Sequence, residues 1–220
     1  MIQSKPPVLY TYWRSSASYR VRMALNLKGI DYQTVPVHLV RDGGQQHAPE
    51  YAERNPQRLV PALTIDGITL TQSLAMLEYL DETVPEPALL PADAAGRARV
   101  RALAQAIASD IHPLNNLRVL KYLTGPAGLD DEAKMAWYRH WTETGLAAVE
   151  AMLAGHSGTG EFCHGDRPGL ADCCLLPQVY NARRFECRLD GLDHIERICA
   201  NLERIEAVRE AAPENQPDAE

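Results

Sequence analysis

The chain has 220 residues, 45% hydrophobic and 23% charged, with 22 Lys and Arg against 29 Asp and Glu and a net charge of -7. That length accommodates one large domain or two small ones with a substantial core, and the acidic balance excludes the basic footprint of a nucleic-acid or anionic-membrane binder. No apolar run approaches the ~20 residues that span a bilayer; Met1 to Pro7 is short and polar, without the apolar centre of a signal peptide, so a cytoplasmic protein is expected.

The first 85 residues alternate strand and helix signals. Val8 to Trp13 (VLYTYW) suits a buried strand. Ser16 to Lys28 predicts a helix with Val21, Ala24, Leu25 and Leu27 on its apolar face and Gly29 at its end. Tyr32 to Val37 reads as a second strand and His47 to Arg54 as a short helix. Pro61 to Ile65 and Ile68 to Thr71 flank Asp66-Gly67, a strong hairpin signal. Ser73 to Thr83 is an amphipathic helix. The order βαβ, linking helix, ββα is that of a thioredoxin-like domain.

Pro85, Pro87 and Pro91 mark a stiff linker, after which helical periodicity dominates. Ala94 to Leu123 carries Val100, Leu103, Ala106, Ile107 and Ile111 at helical spacing, and Glu132 to Leu153 is a second long helix, with Trp137 and Trp141 read as core. Leu170 to Arg183, with Pro177 expected to kink or break it, and His194 to Arg209 complete an all-helical region. Ala212 to Glu220 is polar and reads as a frayed tail. The predicted organisation is α/β followed by all-α: a thioredoxin-like domain over 1–86 and an all-helical domain over 92–220.

Cys163, Cys173, Cys174, Cys187 and Cys199 are odd in number, lack Cys-x-x-Cys spacing and lie in the second half. They read as structural thiols, not as a disulfide framework, and no metal site is expected.

Three segments of the first region carry possible chemistry. Arg14-Ser15-Ser16-Ala17-Ser18 joins the first strand to the first helix. Free N–H groups and a hydroxyl at a helix N-terminus stabilise an anion, and a thiolate is one; the same serines would also serve as plain helix caps. Val60-Pro61 precedes a strand, where a cis proline would turn the Val60 backbone outward to pair with an extended peptide, although proline also starts strands for purely structural reasons. Gln72-Ser73 opens the third helix and forms either a carboxylate site or another cap. In a thioredoxin fold all three converge at one edge of the sheet.

These residues carry a resemblance. SSASYRVRMALNLKG is similar to the signature of zeta-class glutathione transferases, and LVPALTIDG and LTQSLAMLEYLDE resemble that family's glutathione-binding strand and helix. DIHPLNNLRVLKYL, LADCCLLPQVYNARRF and the terminal QPDAE extend the likeness over nearly the whole chain. The resemblance implies a glutathione transferase fold, a homodimer with the first domain of one subunit against the helices of the other, and glutathione as cofactor. It implies cis–trans isomerisation of maleylacetoacetate in tyrosine and phenylalanine breakdown, by thiolate addition, bond rotation and elimination. It also implies roles residue by residue. Ser15, with Ser16 beside it, stabilises the thiolate; Gln46, Val60, Pro61, Gln72, Ser73, His112 and Asn116 contact glutathione; Arg14, Arg118 and Arg184 meet a dicarboxylate substrate. Ala17 stands where many relatives have cysteine, and Gly169 where they have a serine or threonine cap. Gly169 and Asp172 are read as folding features. Alternatives within the resemblance are maleylpyruvate isomerisation and a general zeta-class transferase. A non-catalytic interaction module on the same fold is the alternative from another class.

Overall fold

A computed structural model describes residues 5–220. Contacts between Cα atoms divide the chain into two units, one formed by the residues up to Leu89 together with Glu203–Glu220, the other by Leu90–Leu202.

The first unit is built on a four-stranded sheet of β1 (Val8–Thr11), β2 (Gln33–Pro36), β3 (Ala62–Ile65) and β4 (Ile68–Thr71) in the order β2-β1-β3-β4. β1 and β2 run parallel across the crossover helix α1 (Ser16–Leu27), and β3 pairs antiparallel with both β1 and β4. The Asp66-Gly67 turn sets Ile65 opposite Ile68, with φ of 51° and 80° at its two residues, a conformation that glycine and aspartate tolerate. A short α2 (Pro49–Arg54) and α3 (Ser73–Thr83) complete the thioredoxin-like arrangement.

α1 is enclosed on every side. Val21, Met23, Ala24 and Leu25 are fully buried, and so are Arg20 and Arg22, while Leu27, expected on the apolar face, is only half-buried. Lys28 at its end donates to the Asp81 carboxylate (3.1 Å) and to the carbonyls of Val84 (2.6 Å) and Pro87 (2.9 Å). This ties α1 to the end of α3 and to the proline-bearing link.

The second unit is helical. α4 (Ala94–Gln105) passes into a π-helical turn over Ala106–Ile111, followed by one turn of α5 (His112–Leu114) and by α6 (Leu117–Thr124). The predicted single helix from Ala94 to Leu123 is therefore broken. Pro113 and the Asn115-Asn116 pair end the regular hydrogen bonding, and Asn116 caps α6 by accepting from the Arg118 N–H (3.1 Å). α7 (Asp131–Ala154) buries Tyr138, Thr142, Leu146, Val149 and Leu153. Trp137 and Trp141, expected in the core, are half-buried beside that line and pack edge to face with centroids 5.7 Å apart.

α8 (Leu170–Arg184) runs unbroken through Pro177, and all of its first ten residues are buried. Asp172 fixes its start by accepting from the N–H groups of Gly169 (2.8 Å) and Cys163 (2.9 Å), the folding role expected of it. α9 (Asp193–Leu202) closes this unit. The predicted helix from His194 to Arg209 stops at Leu202 and resumes as α10 (Glu206–Glu210), which packs on α1 within the first unit.

All five cysteines are buried free thiols. Burial pushes the Cys163 thiol well above its usual range and Cys187 up to about 11, as expected of structural thiols. No helix of the described residues is long and apolar enough to cross a membrane, and no group of three His, Cys, Asp or Glu among them is placed to hold a metal ion.

Candidate functional site

The register of the sheet decides which residues of the first unit share an end. Tyr10 lies opposite Ala62, and Ala62 opposite Thr71. The chain therefore leaves β1 towards Ser15, enters β3 from Val60-Pro61 and leaves β4 towards Gln72-Ser73 at the same end of the sheet. β2 ends there as well, because Thr11 pairs with Pro36 in the parallel ladder; the loop that follows it carries Gln46.

Ser15 is the N-cap of α1, with extended backbone and its Oγ accepting from the Ser18 N–H at 3.2 Å. It is half-buried, whereas Ser16 inside the first turn is almost wholly buried. Of the two serines, Ser15 is thus the more accessible. Arg14 stands beside it, its guanidinium 4.1 Å from the Trp13 ring centre.

The Val60-Pro61 peptide bond is cis. The Val60 side chain packs with Tyr12, Trp13, Val37, Tyr51 and Ala62, and no hydrogen bond among the described residues uses its backbone N–H or C=O. Just before it, the Leu59 carbonyl accepts from the Tyr51 hydroxyl (2.6 Å) and the Asn55 amide (2.7 Å), which fixes the approach to the strand.

Gln72 holds φ 68° ahead of α3, a conformation that non-glycine residues adopt at a cost and that collects at functional sites. Its amide donates to Gln57 at 2.6 Å. Ser73, buried at the first position of α3, accepts from the Arg20 guanidinium at 3.3 Å. A buried positive charge therefore reinforces the positive end of the α3 dipole, where a carboxylate is best held.

Gln46 is buried, and its Oε1 has no partner among the described residues. Gly44, at φ 107°, makes room for it: a Cβ there would lie 2.6 Å from the Gln46 amide.

The other sequence candidates lie in the helical unit. His112, half-buried, follows the π-helical turn, Asn116 caps α6, and Arg118 is exposed. Their segment is pinned to α7. The Asn115 amide donates to Thr142 Oγ1 (2.8 Å), and Trp137 Nε1 donates to the Leu114 carbonyl (2.9 Å). Arg184 is exposed at the end of α8, 4.9 Å from the Phe185 ring centre; Glu186 pairs with Arg139, and Arg184 has no ion pair among the described residues. Arg139 also donates to the Phe185 carbonyl (3.2 Å), and Phe185 stacks on Tyr138 at 4.1 Å. One stretch of α7 thus supports both the 112–118 segment and the end of α8.

Sequence reasoning missed the groups behind these residues. Arg20 and Arg22 sit in an Arg-Val-Arg run whose only warning is two charges inside an apolar helix. Asn115 and Tyr138 carry no signal beyond ordinary capping and core patterns.

Residues 9–88 match the model of the glutathione S-transferase N-terminal domain family. A probable maleylacetoacetate isomerase of Vibrio cholerae is 51% identical over 96% of this chain and 98% of its own length. The chain belongs to the zeta-class glutathione transferase and maleylacetoacetate isomerase family. Two solved members of that family have nearly the same structure. A bacterial zeta-class maleyl pyruvate isomerase, in its holo form, has a TM-score of 0.93 at 46% identity, covering 97% of this chain and 100% of that one. A maleylacetoacetate isomerase from Methylobacterium extorquens AM1 with bound malonate and GSH has a TM-score of 0.92 at 42% identity, covering 97% and 99%.

Proposed function

We propose that this chain is a glutathione-dependent cis–trans isomerase that converts maleylacetoacetate to fumarylacetoacetate, working in the cytoplasm as a homodimer. The observation that carries the reading is the common end of the sheet from which Ser15, Val60-Pro61 and Gln72-Ser73 all project, in a chain 51% identical to a probable maleylacetoacetate isomerase.

The residues suit glutathione. It is an extended peptide with a carboxylate at each end and a thiol between them. The unpaired Val60 backbone suits the peptide, Ser73 with the α3 N-terminus and buried Arg20 suits a carboxylate, and Gln46 offers a buried acceptor. Glutathione supplies the thiolate that adds to the conjugated double bond, allows rotation and is then eliminated.

The protein's own task at the thiol is electrostatic. A free thiol of pKa ~8.5 is little ionised at neutral pH, and each unit of depression takes about 1.4 kcal/mol. The Ser15 hydroxyl and the first N–H groups of α1 supply it, with Ser16 placed just inside the helix. His112 and Asn116 keep their proposed role as glutathione contacts, and Arg14, Arg118 and Arg184 their assignment to substrate carboxylates. Guanidinium meets a carboxylate through two parallel N–H donors.

A second reading, maleylpyruvate isomerase, is supported by the TM-score of 0.93 to such an enzyme. The two substrates differ by one methylene, worth about 0.8 kcal/mol of burial, and a pocket separates such a pair by roughly 10–200-fold. A parallel assay of both substrates, with and without glutathione, tests the proposal. Full isomerisation after exhaustive removal of glutathione would refute it, and a clear preference for maleylpyruvate would select the second reading.

A further inference from the structure

The segment 203–220 belongs to the first unit, and its contacts fall on the backbone that presents Ser15 and Gln46. The frayed tail expected from its composition is instead docked. The Asp218 carboxylate accepts from the Trp13 N–H at 3.1 Å. The carbonyl of the same residue is held from the other side, accepting from Arg22 at 3.0 Å. Arg22 is fully buried and also donates to Thr11 Oγ1 (3.3 Å) and to the Ala211 carbonyl (2.9 Å), so it too is held by the tail segment. Two residues beyond Trp13 stands Ser15, whose own N–H closes the turn onto the Tyr12 carbonyl at 2.9 Å.

A second contact lies one loop away. Glu220 pairs with Arg41, and its carboxylate is 3.4 Å from His38 Nε2. His38 organises the loop that carries Gln46. Its Nδ1 accepts from the N–H groups of Val40 (3.1 Å) and Arg41 (2.8 Å), and its own N–H is held by Gln45 Oε1 at 2.8 Å.

We infer that Asp218 is a positioning residue for thiolate formation: its carboxylate fixes the β1–α1 turn so that Ser15 and the α1 N-terminus meet the sulfur, while Glu220 steadies the Gln46 loop. The inference rests on the assignment of Ser15 to the thiolate. A hydrogen bond to a charged carboxylate is among the stronger ones. Placement errors of about 1 Å are enough to weaken electrostatic stabilisation of a reacting group.

The test compares Asp218→Ala, Asp218→Asn and Ser15→Ala with the unaltered protein by thermal unfolding, amide hydrogen exchange over residues 12–18, glutathione affinity, thiolate absorbance of bound glutathione, and kcat. Asp218→Ala should speed exchange at the turn and lower thiolate absorbance and kcat about tenfold, the loss of one charge-assisted hydrogen bond, with a smaller change in glutathione affinity. Asp218→Asn, whose amide oxygen accepts the same N–H without the charge, should recover part of both. If folded Asp218→Ala has a lower melting temperature but normal thiolate absorbance and kcat, the tail is structural only and the inference falls. It falls equally if Asp218→Asn is as impaired as Asp218→Ala. Should the alanine variant fail to fold, Asp218→Glu moves the acceptor by one methylene; normal thiolate absorbance in that variant overturns the inference, and a loss supports it. A silent Ser15→Ala would remove the assignment of Ser15, while the Asp218 variants would still decide whether the tail governs thiolate formation.

Discussion

The turn after β1 and the end of α8 both present side chains assigned to the reaction, yet they are held in opposite ways. The Trp13 peptide before Ser15 is gripped on both sides, by Asp218 at its N–H and by buried Arg22 at its C=O. Arg184 is exposed, with an aromatic ring as its neighbour and no ion pair among the described residues. The difference suits the two tasks proposed for them. Stabilising a thiolate takes fixed dipoles that cost no reorganisation at the moment of reaction. Capturing a flexible dianion takes charge and reach, which an exposed guanidinium supplies on a long stem.

The hardest way to break this contrast is to remove the grip itself. Arg22→Ala leaves the Trp13 and Ala211 carbonyls without their donor inside the fold, and should cost about 3 kcal/mol of stability, read from denaturant unfolding. Next comes the group that the grip serves. Ser15→Ala should lower kcat about 10²-fold, the usual cost of losing one preorganised donor, with little change in glutathione affinity; a larger loss in Ser16→Ala would reverse the choice between the serines.

On the loosely held side, Arg184→Lys keeps the charge and loses the fork. It should raise KM for the dicarboxylate about tenfold, the loss of one bidentate contact, and should affect a mono-anionic haloacid less. Equal losses of kcat/KM for both substrates would make Arg184 a structural residue. The smallest effect is expected at Trp137→Phe, which removes the Nε1–H donated to Leu114. It should cost about 1 kcal/mol and soften the 112–118 segment without changing thiolate absorbance.

The element order of the first unit and the hairpin were legible because they depend on local signals. Two-residue turn chemistry at Asp66-Gly67 and runs of apolar and aromatic residues need no distant partner. The boundaries of α3 followed from Ser73 and the apolar pattern behind it. The break within Ala94–Leu123 was hidden because Val100, Leu103, Ile107 and Ile111 keep an apolar face across the π-helical turn. Gly145 shows why that turn is tolerated: a Cβ there would lie 2.3 Å from Ile111, so α7 offers a notch that its neighbour's altered winding fills. Burial of Arg22 was invisible for a different reason. A charge is read as surface unless its partners are known, and its acceptor at Ala211 lies 189 positions away. The same separation concealed the tail, since a polar composition says nothing about whether its carboxylates have N–H donors waiting.

Because the segment 203–220 returns to the sheet-bearing unit, that unit is discontinuous in sequence. A chain severed after Leu89 keeps every strand, but it strips Arg22 of the Ala211 carbonyl and Trp13 of its carboxylate. The boundary suggested by the proline-rich link is therefore not a place where the protein divides into two self-sufficient pieces. Fragment complementation would need the peptide 203–220 supplied alongside the first 89 residues. An exchange of helical regions between relatives would carry over intact only if the tail stayed with the turn, helix and loop it grips.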